Sequence, residues 1–234
     1  MKTRVHSVIG LLLVAAVTVG PAAAEDDVPP FAPEPGWKVG HYAVIETDLG
    51  RVVARLLPEQ APQSVAHFAA LAMGELTWTD ASGEEQKYPY YDGIPIHILR
   101  AGLLFEAGDW TKTGRGAPPF YAPEEGYGPY DFSDAGRLGM TRMGGRPSAV
   151  QFFVTAAANP RFNRVFPCFG EVVEGREVVF QISQQKAFGN GRPVEDIKIH
   201  SIRIFQIGTP PPLPEPRQTA SGPVKLERRD RPKD

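Results

Sequence analysis

The side chains able to attack a substrate or ligate a metal are few and scattered. Cys168 is the only cysteine. It sits between Pro167 and Phe169 in an apolar run and reads as a small buried hydrophobe rather than a nucleophile. His41, His67, His97 and His200 fall singly among segments that read as core elements, so each is taken as structural. No spacing suggests a catalytic triad or a metal cluster. Nothing in these residues calls for a covalent nucleophile, metal or cofactor.

The elements that would position such groups can be read from pattern. Tyr42–Thr47 and Arg51–Leu57 alternate around Asp48-Leu49-Gly50, which gives a hairpin of half-buried strands. A helix follows: Pro62 suits its first turn, Val65, Phe68, Ala69 and Ala72 repeat at helical spacing, and Gly74 suits its end. Residues 77–87 read as an exposed polar loop. Residues 94–105 read as one apolar strand, and 108–129, rich in Gly and Pro, as ordered loop. Strands are expected at 150–155 and 165–173, and a second helix over 177–185. A closing strand runs through Ile197, Ile199, Ile202 and Ile204, irregular near Ser201. Many short strands with two helices imply a mainly β fold, a closed antiparallel barrel capped at its ends.

The 234 residues suit one such domain with tails. Residues 1–24 have the parts of a secretory signal: Lys2 and Arg4, an apolar run from Val8 to Val19, and a small-residue end at Ala22-Ala23-Ala24. The run is too short for a comfortable membrane span, which needs about 20 residues. Removing Lys2 and Arg4 leaves 23 basic against 27 acidic residues, a net of −4. No basic stripe is present, so nucleic acid is not an expected partner. Residues 25–39 form a Pro-rich leader, the compact domain is expected over 40–208, and 209–234 reads as a solvated Pro-rich charged tail. The protein is expected in a periplasm or secreted, without a stable membrane span after cleavage, and as a monomer.

Several pieces resemble one family in order and spacing. They are Asp48-Leu49-Gly50, Ala61-Pro62 with Phe68, Leu71 and Gly74, Asp92-Gly93 before Ile96-His97, and Gly108-Asp109-Trp110-Thr111 with Gly114 and Gly116. Gly136, Leu138 and Met140, then Gln151-Phe152-Phe153-Val154-Thr155, Phe169-Gly170-Glu171-Val172 and Gly175 complete the set. From Tyr42 to Ile207 the chain resembles a cyclophilin, the prolyl-isomerase family. The resemblance implies an eight-stranded antiparallel barrel with a helix at each end, and proline-containing polypeptides as clients. It also implies rotation about the bond preceding proline, whose barrier is about 18–20 kcal/mol. Catalysis there favours the twisted amide, whose prolyl nitrogen becomes pyramidal and gains a lone pair.

Carried over position by position, the family pocket is altered here. Gln151 and Phe153 match. The ring-seating positions fall on Leu103 and Leu104, the pocket Gln on Glu106, and the Ala-Asn pair on Thr141-Arg142. The usual Trp and Leu fall on Arg161 and Phe162, the His on Phe166, and the catalytic Arg on Ile98. Loss of that charged donor implies a rate lower by roughly 10²–10³. Three outcomes stand open. Arg100, about 7 Å along the strand on the same side as Ile98, or Arg142 on the facing wall replaces the guanidinium, with Glu106 as its ion partner. That reading makes Arg100, Arg142 and Gln151 the catalytic set, with Leu103, Leu104, Glu106, Thr141, Phe153, Phe162 and Phe166 holding substrate. Alternatively the site is silent and binds proline-containing peptides or an envelope partner. Or the barrel is a structural part joined through its tails.

Overall fold

The computed structural model describes residues 33, 36–80, 83–117 and 120–217. The chain divides into Met1–Ala32 and Pro33–Asp234, and all described residues belong to the second unit. The expected signal and most of the expected leader lie outside them.

Among the described residues, ten strands and two helices follow one another. They are β1 (Gly40–Thr47), β2 (Gly50–Leu56), α1 (Pro62–Met73), β3 (Trp78–Thr79), β4 (Glu85–Gln86), β5 (Ile94–Arg100) and β6 (Leu104–Ala107), then β7 (Arg137–Met143), β8 (Arg146–Thr155), β9 (Cys168–Glu174), α2 (Arg176–Ser183) and β10 (Lys198–Ile207). Eight strands close an antiparallel barrel in the order β1-β10-β5-β6-β8-β7-β9-β2. This is the expected fold. Closure leaves no unpaired barrel edge.

Alternation builds the interior. On β8, Val150, Phe152 and Val154 enter the core, so Gln151, Phe153 and Thr155 point to the outer side of the sheet. On β6, Phe105 and Ala107 enter, so Leu104 and Glu106 face outward. α1 packs on β8 and β10, and α2 packs against β2, β5 and β6. Ala61 offers no side-chain cap to α1. Glu125, sixty residues on, supplies one: its carboxylate accepts from Ser64 N at 2.6 Å and Gln63 N at 3.3 Å. Negative charge at that end also suits the helix dipole. Gly74 ends α1 with φ +72°, and a Cβ there would come within 2.8 Å of Pro89 N.

Four expectations need correction. Residues 94–105 are not one strand. The chain turns after Arg100, and β6 returns beside β5, with Leu103 N donating to Arg100 O at 2.8 Å. Leu103-Leu104-Phe105 continue the apolar run and hide the turn. Residues 77–87 include the small β3–β4 hairpin, with Trp78 buried against Tyr88 and Tyr90. The expected irregularity near Ser201 is present, since β1 and β10 shift register at the adjacent His200, and the third correction is His200 itself. His200 is no core residue. Its side chain is half exposed and lies 2.8 Å from Asp48.

The fourth concerns the tail. Residues 209–217 dock on the barrel instead of standing in solvent. Pro210 is buried, and Leu213 packs against the core cluster. His41 Nε2 donates to Pro211 O at 2.8 Å. Gln63, on α1, donates to Glu215 O at 3.3 Å and accepts from Arg217 N at 2.8 Å. A run of prolines lacks amide donors and is already extended, so docking it costs little conformational entropy. Leu213→Ala is expected to lower unfolding free energy by about 1–2 kcal/mol in urea titration. A solvated tail residue would stay within about 0.5 kcal/mol, and that result would contradict a docked strap.

Candidate functional site

The matched positions converge on the outer face of four adjacent strands. Ile98 on β5 pairs with Glu106 on β6, Glu106 with Phe153 on β8, and Phe153 with Gly139 on β7. These four form one row across the sheet. A register shift at His97 brings Ile98 into it. Arg100 and Leu104 pair in the next row, with Thr155 beyond.

Two glycines make this face possible. A Cβ on Gly139 would lie 2.3 Å from Phe153 Cζ and 2.8 Å from Phe132 Cζ, so the aromatic rings occupy the space a side chain would take. Gly108, at φ +104°, lets the end of β6 close on β8; a Cβ there would lie 2.6 Å from Val150 O. The glycine loop is braced by buried phenols. Tyr90 donates to Gly108 O at 3.1 Å and Tyr91 to Val150 O at 2.9 Å. Asp109 anchors it by accepting from Thr111 N and Oγ1, both at 2.7 Å, and from Thr113 N and Arg115 N, both at 3.0 Å. Burial works against its charge, but the bonds from Thr111 and Gly116 and the nearby His97 outweigh it and hold the carboxyl below its ordinary range. His97 is fully buried, and burial pushes it down to about 4 against the pull of Asp109. It is therefore a neutral core side chain.

Phe153 is only 2% exposed. Phe166 and Phe162 cover it edge to face, with centroids at 5.2 and 5.5 Å, and Phe132 lies beside it at 5.4 Å. Leu57, Leu104 and Cys168 complete this second apolar cluster, with Leu103 and Tyr130 on its margin. Burial pushes the Cys168 thiol up to about 12, which fits a packing role. Phe162 follows Pro160 in a short 3-10 turn, and Phe166 N donates back to Phe162 O at 3.2 Å. The segment thus folds both rings over the floor. Sequence reasoning missed Phe132 and Leu57. Phe132 stands close to Tyr127 and Tyr130 in the same loop, so no local signal singled it out.

The polar positions are arranged differently from expectation. Arg142 does not meet Glu106. It makes a two-pronged pair with Glu124, at 2.6 and 3.1 Å, and donates to Val165 O at 3.0 Å and to Gly145 O. Its guanidinium therefore ties the segment carrying Phe166 to the loop carrying Glu124. Arg100 is exposed and donates to Asn190 O at 3.3 Å. Neither arginine forms an ion pair with Glu106 among the described residues. Arg161 is exposed.

Glu106 is half-buried. Burial raises its pKa, and the charge of Arg100 opposes that only in part. Gln151 is 2% exposed. Its Oε1 accepts from Thr141 Oγ1 at 3.5 Å, while its Nε2 has no partner among the described residues. The arrangement offers a buried amide donor and a carboxyl beside an aromatic floor.

Comparison with known proteins agrees with this fold. The family described as cyclophilin type peptidyl-prolyl cis-trans isomerase/CLD matches residues 42–204. Peptidyl-prolyl cis-trans isomerase A of Mycobacterium tuberculosis is 35% identical over 166 residues, covering 69% of this chain and 91% of the relative. Peptidyl-prolyl cis-trans isomerase B of Streptomyces anulatus is 32% identical over 167 residues, 70% of this chain and 95% of that one. A Cryptosporidium parvum cyclophilin type isomerase, solved in the presence of the dipeptide Ala-Pro, superposes with a TM-score of 0.59 at 25% identity, over 71% of this chain and 99% of that one.

Phe166→Ala removes the ring that covers Phe153 and is expected to tighten binding of an Ala-Pro peptide several-fold in an NMR titration. It should also cost about 1–2 kcal/mol of stability, because a half-buried ring and its stacked contacts are lost. An unchanged affinity would mean that the ring does not obstruct the floor.

Proposed function

Because this chain belongs to the cyclophilin-type peptidyl-prolyl cis-trans isomerase family, we propose that it turns X–Pro bonds of exported polypeptides at an attenuated rate, as a monomer outside the cytoplasm. The row Ile98, Glu106, Phe153, Gly139 carries the reading. It keeps an aromatic floor for a proline ring, with Gln151 beside it to hold the peptide, and it sets an aliphatic side chain where the family has its guanidinium.

The rate limit follows from that last position. The twisted prolyl nitrogen accepts a hydrogen bond that the planar amide does not, so only a donor aimed at it lowers the barrier selectively. Ile98 donates nothing. Binding that seats substrate and transition state equally well leaves the barrier unchanged, and the missing donor accounts for roughly 10²–10³ in rate. Proline-containing ligands are supported by the Ala-Pro dipeptide present with the Cryptosporidium relative. Export is supported by Lys2, Arg4, the apolar run from Val8 and the small residues before Glu25. In an exported chain, uncatalysed prolyl steps take tens to hundreds of seconds, so even a slow catalyst shortens folding.

The covered floor favours a second reading, a silent module that holds proline-containing segments or an envelope partner. One experiment separates the two. NMR exchange on an Ala-Pro peptide is measured with the mature chain and with Ile98→Arg, whose guanidinium would stand directly opposite Glu106. Wild type is expected to be slow and Ile98→Arg faster by about tenfold or more. Silence of wild type with a gain in Ile98→Arg selects the binding module. An Ile98→Arg variant no faster than an active wild type would sink the claim that this position limits the rate.

A further inference from the structure

Resting on the isomerase reading above, we propose that the carboxyl of Glu106, in its neutral acid form, donates its O–H to the twisted prolyl nitrogen and so replaces the absent guanidinium. No covalent bond forms or breaks. The proton stays on Glu106, and the hydrogen bond is made in the transition state and lost when the amide becomes planar again.

Three observations place the donor. Glu106 is the direct cross-strand neighbour of both Ile98 and Phe153. Opposed side chains in an antiparallel pair start about 4.5–5.5 Å apart. The carboxyl therefore reaches the space beside the floor, next to the position that the family fills with its cation. Its outward direction is fixed by Phe105 and Ala107, which enter the core on either side of it. Gln151 lies two residues from Phe153 on the same face, and its partnerless Nε2 can hold the peptide while Glu106 addresses the nitrogen.

The surroundings shift the balance toward the acid. The charged group facing Glu106 from β5 is Arg100, turned toward Asn190 O and not in an ion pair with it. From β8 the neighbours are Gln151, Phe153 and Thr155, none of which titrates in the working range. α2 packs on β6, and its buried side chains are Val178, Val179, Ile182 and Ser183. Arg142 is held by Glu124. With no cation paired to it among the described residues, burial outweighs the charge of Arg100, and the pKa moves upward. A carboxylate at this place would repel the nitrogen lone pair. A neutral carboxyl donates to it, and it does so most effectively in a site from which water is excluded.

The donor form is lost as pH rises through the Glu106 pKa. Isomerase activity is therefore expected to be highest on the acid side and to fall by about tenfold per pH unit above that pKa. The test is NMR exchange on an Ala-Pro peptide across this range, with the mature chain, Glu106→Gln, Glu106→Leu and Arg100→Met, each checked for folding by its thermal transition. Glu106→Gln should keep activity and lose the pH dependence, because an amide N–H does not titrate. Glu106→Leu should approach the uncatalysed rate at every pH while still binding peptide. Arg100→Met should move the profile to higher pH, a shift that a packing role for Glu106 would not produce. An active wild type with a flat profile, or a Glu106→Leu variant as fast as wild type, overturns the role of Glu106 and leaves the isomerase reading standing. A wild type that binds the peptide but never accelerates it overturns both.

Discussion

The contact of Phe153 with Gly139 holds the outer face of this barrel together. Without a side chain on Gly139, the rings of Phe153 and Phe132 occupy the surface of β7. Any Cβ at that position would displace them. Once Phe153 is seated, sheet register does the rest, because a strand cannot slip by one residue without turning its inner face outward. Glu106 and Ile98 are then fixed at successive steps from the ring, and Gln151 falls beside it. The site is thus a consequence of barrel register more than of any loop, which gives it a rigid base.

That rigidity gives an aliphatic side chain at Ile98, opposite Glu106, a wider electrostatic effect. A guanidinium beside Glu106 would favour its ionised form. Ile98 gives no such support, Arg100 offsets the burial of Glu106 only in part, and the arginines around the aromatic cluster are committed elsewhere. Arg142 is bound to Glu124, and Arg55 and Arg137 share Glu171 at 2.7 and 2.8 Å across β2, β9 and β7 while flanking the ring of Tyr130. Charge is therefore well balanced around the aromatic cluster and poorly balanced at Glu106. The carboxyl responds by holding its proton more tightly. The family's amide and this chain's acid are similar in shape, and both can donate a hydrogen bond, but only the acid does so conditionally.

Strand alternation made the barrel legible in the sequence, and α1 was legible from Pro62, its helical spacing and Gly74. The features that escaped were set by distant contacts. Nothing local marks Glu125 as the cap of α1, since its partners lie sixty residues earlier. The turn after Arg100 was masked because Leu103 and Leu104 are apolar for a different reason from Ile94 and Ile96: the former border the outer cluster, the latter fill the core. Thr209–Arg217 has the composition of a linker, yet His41 and Gln63 supply the partners that hold it. At the site, the residue types were readable but their alliances were not. Arg142 was placed near the pocket, and only the fold shows that Glu124 claims it.

The aromatic cover and the weak donor belong to one physical solution. Phe162 and Phe166 obstruct Phe153, which works against substrate entry. They also keep water from the floor, and a neutral donor needs that protection more than a cation does. A guanidinium retains long-range attraction for developing negative charge even when partly hydrated. A carboxyl O–H acts only at contact, and water competes with it on nearly equal terms. Opening the floor widely would therefore help a site built on arginine more than one built on Glu106. On the proposed mechanism a substrate proline reaches Phe153 only by displacing Phe166, and the substrate then has to exclude water from the donor itself.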